Sequence, residues 1–317
     1  MFPSYEFGVR RAVRLGFAAL CASGVLAAAG TAFAQASGAQ TIRPLLWQAG
    51  MKRSDIGEVN VFRRFPAERT DKMRAFYNEV LGLSVLPATA LGGGAMIRYP
   101  VGLSEVKLFP VKDAEPNTAT VGAATGVRVL TFFYKDQAAI SQSFAKHGLE
   151  PPFFQRPSSR PGATAAALAQ DPAGEWVELV IVPNASPEQL ASFEIGISVA
   201  DLEKSRSFYR DLLGLEEHAP AQDELLGATR YAYTHGSTTI NVYRFGADLP
   251  KRAQTAGMQY IVWNAAGVDE VAQARGATID RPLSNPGQMR TIWLFDPDGV
   301  SNYFAEFAGN DNTPPAR

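Results

Sequence analysis

Hydrophobic and polar positions along this chain follow two periods in a recurring order. In Phe193-Glu194-Ile195-Gly196-Ile197-Ser198-Val199 they alternate as in a β-strand. Asp201 is then placed to cap a helix that carries Leu202, Ser205, Phe208, Tyr209 and Leu212 at helical spacing and stops at Gly214. Strands near Thr229–Thr234 and Thr238–Arg244 follow, joined by His235-Gly236-Ser237 as a turn. The order then restarts: a strand at Gln259–Asn264, a helix at Val268–Arg275, a strand at Arg290–Phe295 and a last strand at Ser301–Phe307. The same scheme is predicted upstream, with strands at Val59–Arg64, Ala95–Tyr99, Glu105–Val111, Val127–Tyr134 and Trp176–Val182, and helices at Asp71–Leu81 and Gln137–His147.

The recurrence extends to residue identity. Phe76-Tyr77-Asn78-Glu79-Val80-Leu81-Gly82-Leu83 returns 132 residues later as Phe208-Tyr209-Arg210-Asp211-Leu212-Leu213-Gly214-Leu215. Asp171-Pro172-Ala173-Gly174 returns 125 residues later as Asp296-Pro297-Asp298-Gly299. Two signals in the same order within each copy identify a tandem duplication.

The N-terminus has a different pattern. Arg10, Arg11 and Arg14 precede an apolar run from Leu15 to Ala29, and Ala32-Phe33-Ala34 stands before Gln35, which together form the pattern of a signal peptide over residues 1–34. Ala12-Val13-Arg14 lacks the apolar pair expected after a twin-arginine motif, so the general export route and a secreted or periplasmic location are expected. Cleavage after Ala34 removes three arginines, Glu6 and Cys21, taking 30 basic and 31 acidic residues to 27 and 30. The mature chain then has no cysteine, a charge of −3, and no second apolar segment long enough to span a membrane. Thiol chemistry and Cys-based zinc clusters are excluded, and no basic patch interleaved with aromatics points to nucleic acid.

The helix ending Phe-Tyr-x-x-x-Leu-Gly-Leu and the later Asp-Pro-x-Gly turn resemble the vicinal oxygen chelate superfamily, which includes glyoxalase I, extradiol dioxygenases and bleomycin-binding proteins. The resemblance covers residues 56–183 and 192–308, leaving 184–191 as a linker and 309–317 as a loose tail. It implies an α+β fold of two tandem domains, each of paired βαβββ modules forming a curled, incomplete barrel that holds its ligand in a concave face. It also implies metal ligands from the first strand, the first strand of the second half and the final strand, with an optional fourth from the strand closing the first half. In the second copy these positions fall on Glu194, Tyr260, Tyr303 and Asn241. In the first they fall on Glu58, Val129, Glu178 and Lys107, so that Lys107 is expected between Glu58 and Glu178 where an ion would otherwise neutralise them.

No histidine falls on any of these positions, so no metal cofactor is expected; a divalent ion, if bound, would rest on Glu58 and Glu178. The second copy offers aromatic faces and polar handles for a planar ligand: Tyr233, Tyr260, Trp263 and Tyr303 with Glu194, Arg230 and Asn241. Two functions follow. One is an exported protein that binds a small aromatic or planar organic molecule. The other is a glyoxalase-like lyase or isomerase with Glu58 and Glu178 as metal ligands or general acid/base. Extradiol oxygenation is disfavoured because it needs a two-His-one-carboxylate triad. Intramolecular pairing of the two copies, or a homodimer, is expected.

Overall fold

The computed structural model describes residues 59–91, 94–155, 160–251, 255–285, 287 and 289–307. The signal-like segment, Glu58 and the 309–317 tail lie outside them. Among the described residues, sixteen strands fall into four modules. The first holds β1 (Val59–Pro66), β2 (Leu86–Leu91), β3 (Gly94–Val101) and β4 (Ser104–Val111). The second holds β5 (Gly126–Tyr134), β6 (Ala165–Gln170) and β7 (Trp176–Ile181). In the second copy come β8 (Phe193–Ser198), β9 (Glu216–Glu217), β10 (Ala221–Asp223), β11 (Ala228–His235) and β12 (Thr238–Tyr243). The last module holds β13 (Ala256–Ile261), β14 (Ile279–Ser284), β15 (Met289–Phe295) and β16 (Ser301–Phe307).

These strands build two eight-stranded sheets, and neither closes into a barrel. The first runs β14-β15-β16-β13-β1-β4-β3-β2; the second runs β10-β11-β12-β8-β5-β7-β6, with β9 against β11. Each sheet therefore takes one module from each sequence copy. The joins are the antiparallel pairs β1–β13, where Asn60 faces Gln259, and β5–β8, where Thr131 faces Glu194.

The two motifs of each copy meet in space. Tyr77 donates from its hydroxyl to Asp171 Oδ2 at 3.0 Å, and Tyr209 donates to Asp296 Oδ2 at 2.8 Å. Each aspartate uses its other oxygen to accept two backbone N–H groups of its turn, Ala173 and Glu175 in one case, Asp298 and Val300 in the other. Gly174 in the first turn has φ +81°, and a Cβ there would lie 2.0 Å from the Asn117 carbonyl oxygen. Each Tyr–Asp bond ties a helix of a module in one sheet to a turn of a module in the other. Burial raises Asp171 and Asp296 to about 6 each. The helices that carry the tyrosines begin as α-helix at Thr70–Ala75 and Leu202–Arg206 and widen to π-helix at Phe76–Val80 and Ser207–Leu212.

Candidate functional site

One face of the second sheet carries a buried cluster of charge. Arg160, from the loop before β6, donates Nη1 and Nη2 to the two oxygens of Glu178 at 2.7 and 2.8 Å, and Nε to Glu194 Oε2 at 2.8 Å. Its Nη1 also lies 3.6 Å from Asp223. The surrounding strands complete the cluster: Thr131 on β5 donates to Glu178, Asn241 on β12 donates to Glu194, and Tyr243 donates to Asp223. Arg230 on β11 lies 3.7 Å from Glu194. Arg160, Glu178, Glu194 and Asp223 are all buried. Burial opposes the charge on Glu194, but Arg160, Arg230 and Asn241 outweigh it and hold its pKa below the ordinary value. At Glu178 burial dominates and, with Asp223 and Glu194 adding to it against Arg160, raises the pKa to about 7. Three carboxylates around two guanidinium groups leave one negative charge in excess, which adds to burial in disfavouring the charge on Glu178.

The corresponding face of the first sheet is open. A cavity of about 640 Å³ is bounded on its apolar side by Phe62, Phe109, Trp293, Tyr303 and Phe307, with Met96 and Met289. Cross-strand register sets the row: Arg281 opposes Trp293, Trp293 opposes Tyr303, and Tyr303 opposes Gln259. Trp293 stacks on Tyr303 with ring centroids 4.3 Å apart, and the Arg281 guanidinium lies 4.6 Å from the Trp293 centroid. Phe62 lies over Gly257, where a Cβ would meet the Phe62 ring at 2.4 Å. The polar part of the lining includes Lys107, which donates to Gln259 Oε1, and Arg98, which forms a two-pronged pair with Glu105. Burial lowers the Lys107 pKa, with Glu105 opposing.

This geometry redistributes the residues expected at each site. Lys107 and Glu178 lie in different sheets, because the two halves of one copy enter different sheets, and the cation at Glu178 is Arg160. The second-copy set is divided in the same way: Glu194, Asn241 and Arg230 join the second sheet, whereas Tyr303 joins Lys107 in the first. Val129 is replaced by Thr131, two residues on, as the β5 side chain that meets Glu178. Tyr260 is replaced by Gln259, since a shift of one residue moves a side chain to the opposite face; Tyr260 is buried and donates to Asn302. Tyr233 is likewise a core residue, with its hydroxyl on Glu217. Trp263, just past β13, is not among the residues bounding the cavity. His147 and His218 bond Ser143 and Thr234, away from both faces. Arg160 was absent from the expected set, because nothing in its Pro- and Ser-rich loop marks it in sequence.

A family model for the glyoxalase/bleomycin resistance protein/dioxygenase superfamily matches residues 61–179 and again 191–304. The chain belongs to this superfamily. Its fold is shared with glyoxalase I from Zea mays (TM-score 0.63, 18% identity, covering 82% of this chain and 94% of that one). A Bacillus subtilis candidate dioxygenase is also similar (TM-score 0.59, 14% identity, covering 81% of this chain and 86% of that one). At these identities the likeness is one of fold. Among curated proteins none matches the chain.

Members of the superfamily often use a divalent ion, and the described residues of neither face fit one. In the second sheet the Arg160 guanidinium already saturates both carboxylates, and its charge repels a second cation. In the first, the convergent groups are an ammonium, an amide and a phenol, a set without a carboxylate or imidazole. Among the described residues no group of three or more His, Cys, Asp and Glu side chains is placed to hold a metal.

Proposed function

We propose that this protein binds a small planar or aromatic organic molecule in the cavity of the first sheet, without a metal ion, and that it does so after export. The carrying observation is the row of Phe62, Trp293 and Tyr303 facing an open space of about 640 Å³, within the usual range for small-molecule pockets. Calorimetric titration of the chain from Gln35 onward with 2-naphthoate, 2-naphthylmethanol and 2-naphthylmethylammonium tests this. Saturable binding of at least one probe, weakened tenfold or more by Trp293→Ala, is expected; no saturable binding of any of them overturns the reading. Export rests on the residue 1–34 pattern, and protein recovered from the extracytoplasmic fraction is expected to begin at Gln35.

The raised pKa of Glu178 favours a second reading, a lyase or isomerase using Glu178 as general acid/base. Its burial argues against this, because Glu178 has no exposed surface and both its oxygens accept bonds from Arg160. Turnover of an α-ketoaldehyde that is abolished in Glu178→Gln would restore it.

A further inference from the structure

We infer that the occupant of the first-sheet cavity is an anion, a planar aromatic acid whose carboxylate meets the Lys107–Gln259 wall. The inference rests on the binding reading above and adds the sign of the ligand's charge. It comes from hydrogen-bond polarity that the backbone dictates. The backbone N–H of Glu105 is an unambiguous donor, and it donates to Asn60 Oδ1 at 2.7 Å. Asn60 must then present its Nδ2 to the next group, and it donates to Gln259 Oε1 at 3.0 Å. Lys107, which can only donate, converges on the same Oε1. With Oε1 committed to two donors, Gln259 has only its amide N–H groups to offer elsewhere, toward Tyr303 and the cavity. The relay fixes the orientation of two amides that would otherwise be ambiguous, and it leaves a wall that donates.

Charge agrees with polarity. The described residues bounding the cavity include Arg64, Arg98, Lys107 and Arg281, and no acidic residue is among those described. Glu105 is held by Arg98 at 2.8 and 2.5 Å and lies 3.5 Å from the Lys107 amine, so one carboxylate is shared between two cations. Lys107 keeps an ammonium of three donors beside a neutral amide acceptor in a mostly buried position, where an incoming carboxylate would gain charge-assisted bonds. The aromatic rings stand on neighbouring strands, Tyr303 beside Gln259 and Phe62 beside Lys107, so one molecule with a flat apolar body and an anionic end meets both.

The three naphthyl probes share a ring system and differ in charge. In the wild-type protein 2-naphthoate is expected to bind at least tenfold more tightly than 2-naphthylmethanol, with the ammonium probe weakest. The preference is expected to shrink in 0.5 M salt and to vanish in Lys107→Met. Equal or tighter binding of the alcohol or the ammonium overturns the inference while leaving the binding reading intact. A preference that survives in full in Lys107→Met overturns the assignment to this wall. Absence of binding by all three removes the binding reading and this inference with it.

Discussion

The two concave faces come from the same duplicated plan and have diverged into opposite electrostatic solutions. In the second sheet a guanidinium from a loop sits among Glu178, Glu194 and Asp223, pairing with the carboxylates around it. In the first an ammonium from the sheet itself, Lys107, stands beside Gln259 and leaves about 640 Å³ open. Each face carries a cation, a guanidinium in one and an ammonium in the other. Among the described residues, those of the first sheet bound an open cavity lined by aromatic rings. One duplicated plan thus carries a buried ion cluster on one face and an aromatic-lined cavity on the other.

Removing the second-sheet cation should have the largest effect on stability. Arg160→Ala leaves two buried carboxylates without their partner, and a loss of about 3–5 kcal/mol is expected in urea unfolding. Lys107→Met in the first sheet should change stability by less than about 1 kcal/mol, because its principal bond is to an amide and its stem already packs in the wall. Equal losses from the two substitutions would erase the distinction between the two faces.

The two faces should also separate by pH. Glu178 is raised from 4.5 to about 7, so above pH 4.5 the folded protein keeps a proton that the unfolded chain has released. Stability from this group is full below about pH 4.5 and falls as the pH rises through 7, by up to about 3 kcal/mol. Glu178→Gln imitates the protonated form and should flatten that fall. Asp171 and Asp296, raised to about 6, add a decline of the same sign in both proteins, so the difference between the two curves isolates Glu178. A wild-type curve parallel to that of Glu178→Gln would place the ionised form of Glu178 in the folded protein throughout.

A finer comparison uses one glycine from each sheet. A Cβ at Gly257 would meet the Phe62 ring at 2.4 Å and the Ser301 carbonyl oxygen at 2.5 Å; at Gly196 it would meet Val129 at 2.3 Å. Each alanine substitution should cost about 1–3 kcal/mol through overpacking. Only Gly257→Ala, by displacing Phe62, should also weaken binding of the naphthyl probes. Loss of binding in Gly196→Ala as well would point to a ligand site shared by both faces.

Much of the fold was legible because its modules repeat and their central strands alternate. The strands that escaped detection include all four sheet edges: β2, β14, β6 and β10. Edge strands bury less and alternate weakly. Leu86–Leu91 contains a proline, Ala165–Gln170 is alanine-rich, and Ile279–Ser284 is half-exposed. The candidate site was less legible for two reasons. Counting within one copy assigns Lys107 and Glu178 to a common face, but which module joins which sheet is decided by pairing between copies. A one-residue offset at Tyr260 and a two-residue offset at Val129 then exchanged Gln259 and Thr131 for the expected side chains. Arg160 lies in a loop without periodicity, so only tertiary structure could bring it to Glu178.

The pairing between copies bears on how such a chain can be divided. A fragment ending near Pro183 would carry β1 and β5 as bare edges, because both lose their neighbours β13 and β8 from the other copy. It would keep its own Tyr77–Asp171 latch, yet hold half of each sheet. Such a half-chain satisfies its exposed backbone by meeting another half-chain with the same edges, which makes the full polypeptide a dimer written as one continuous strand of sequence.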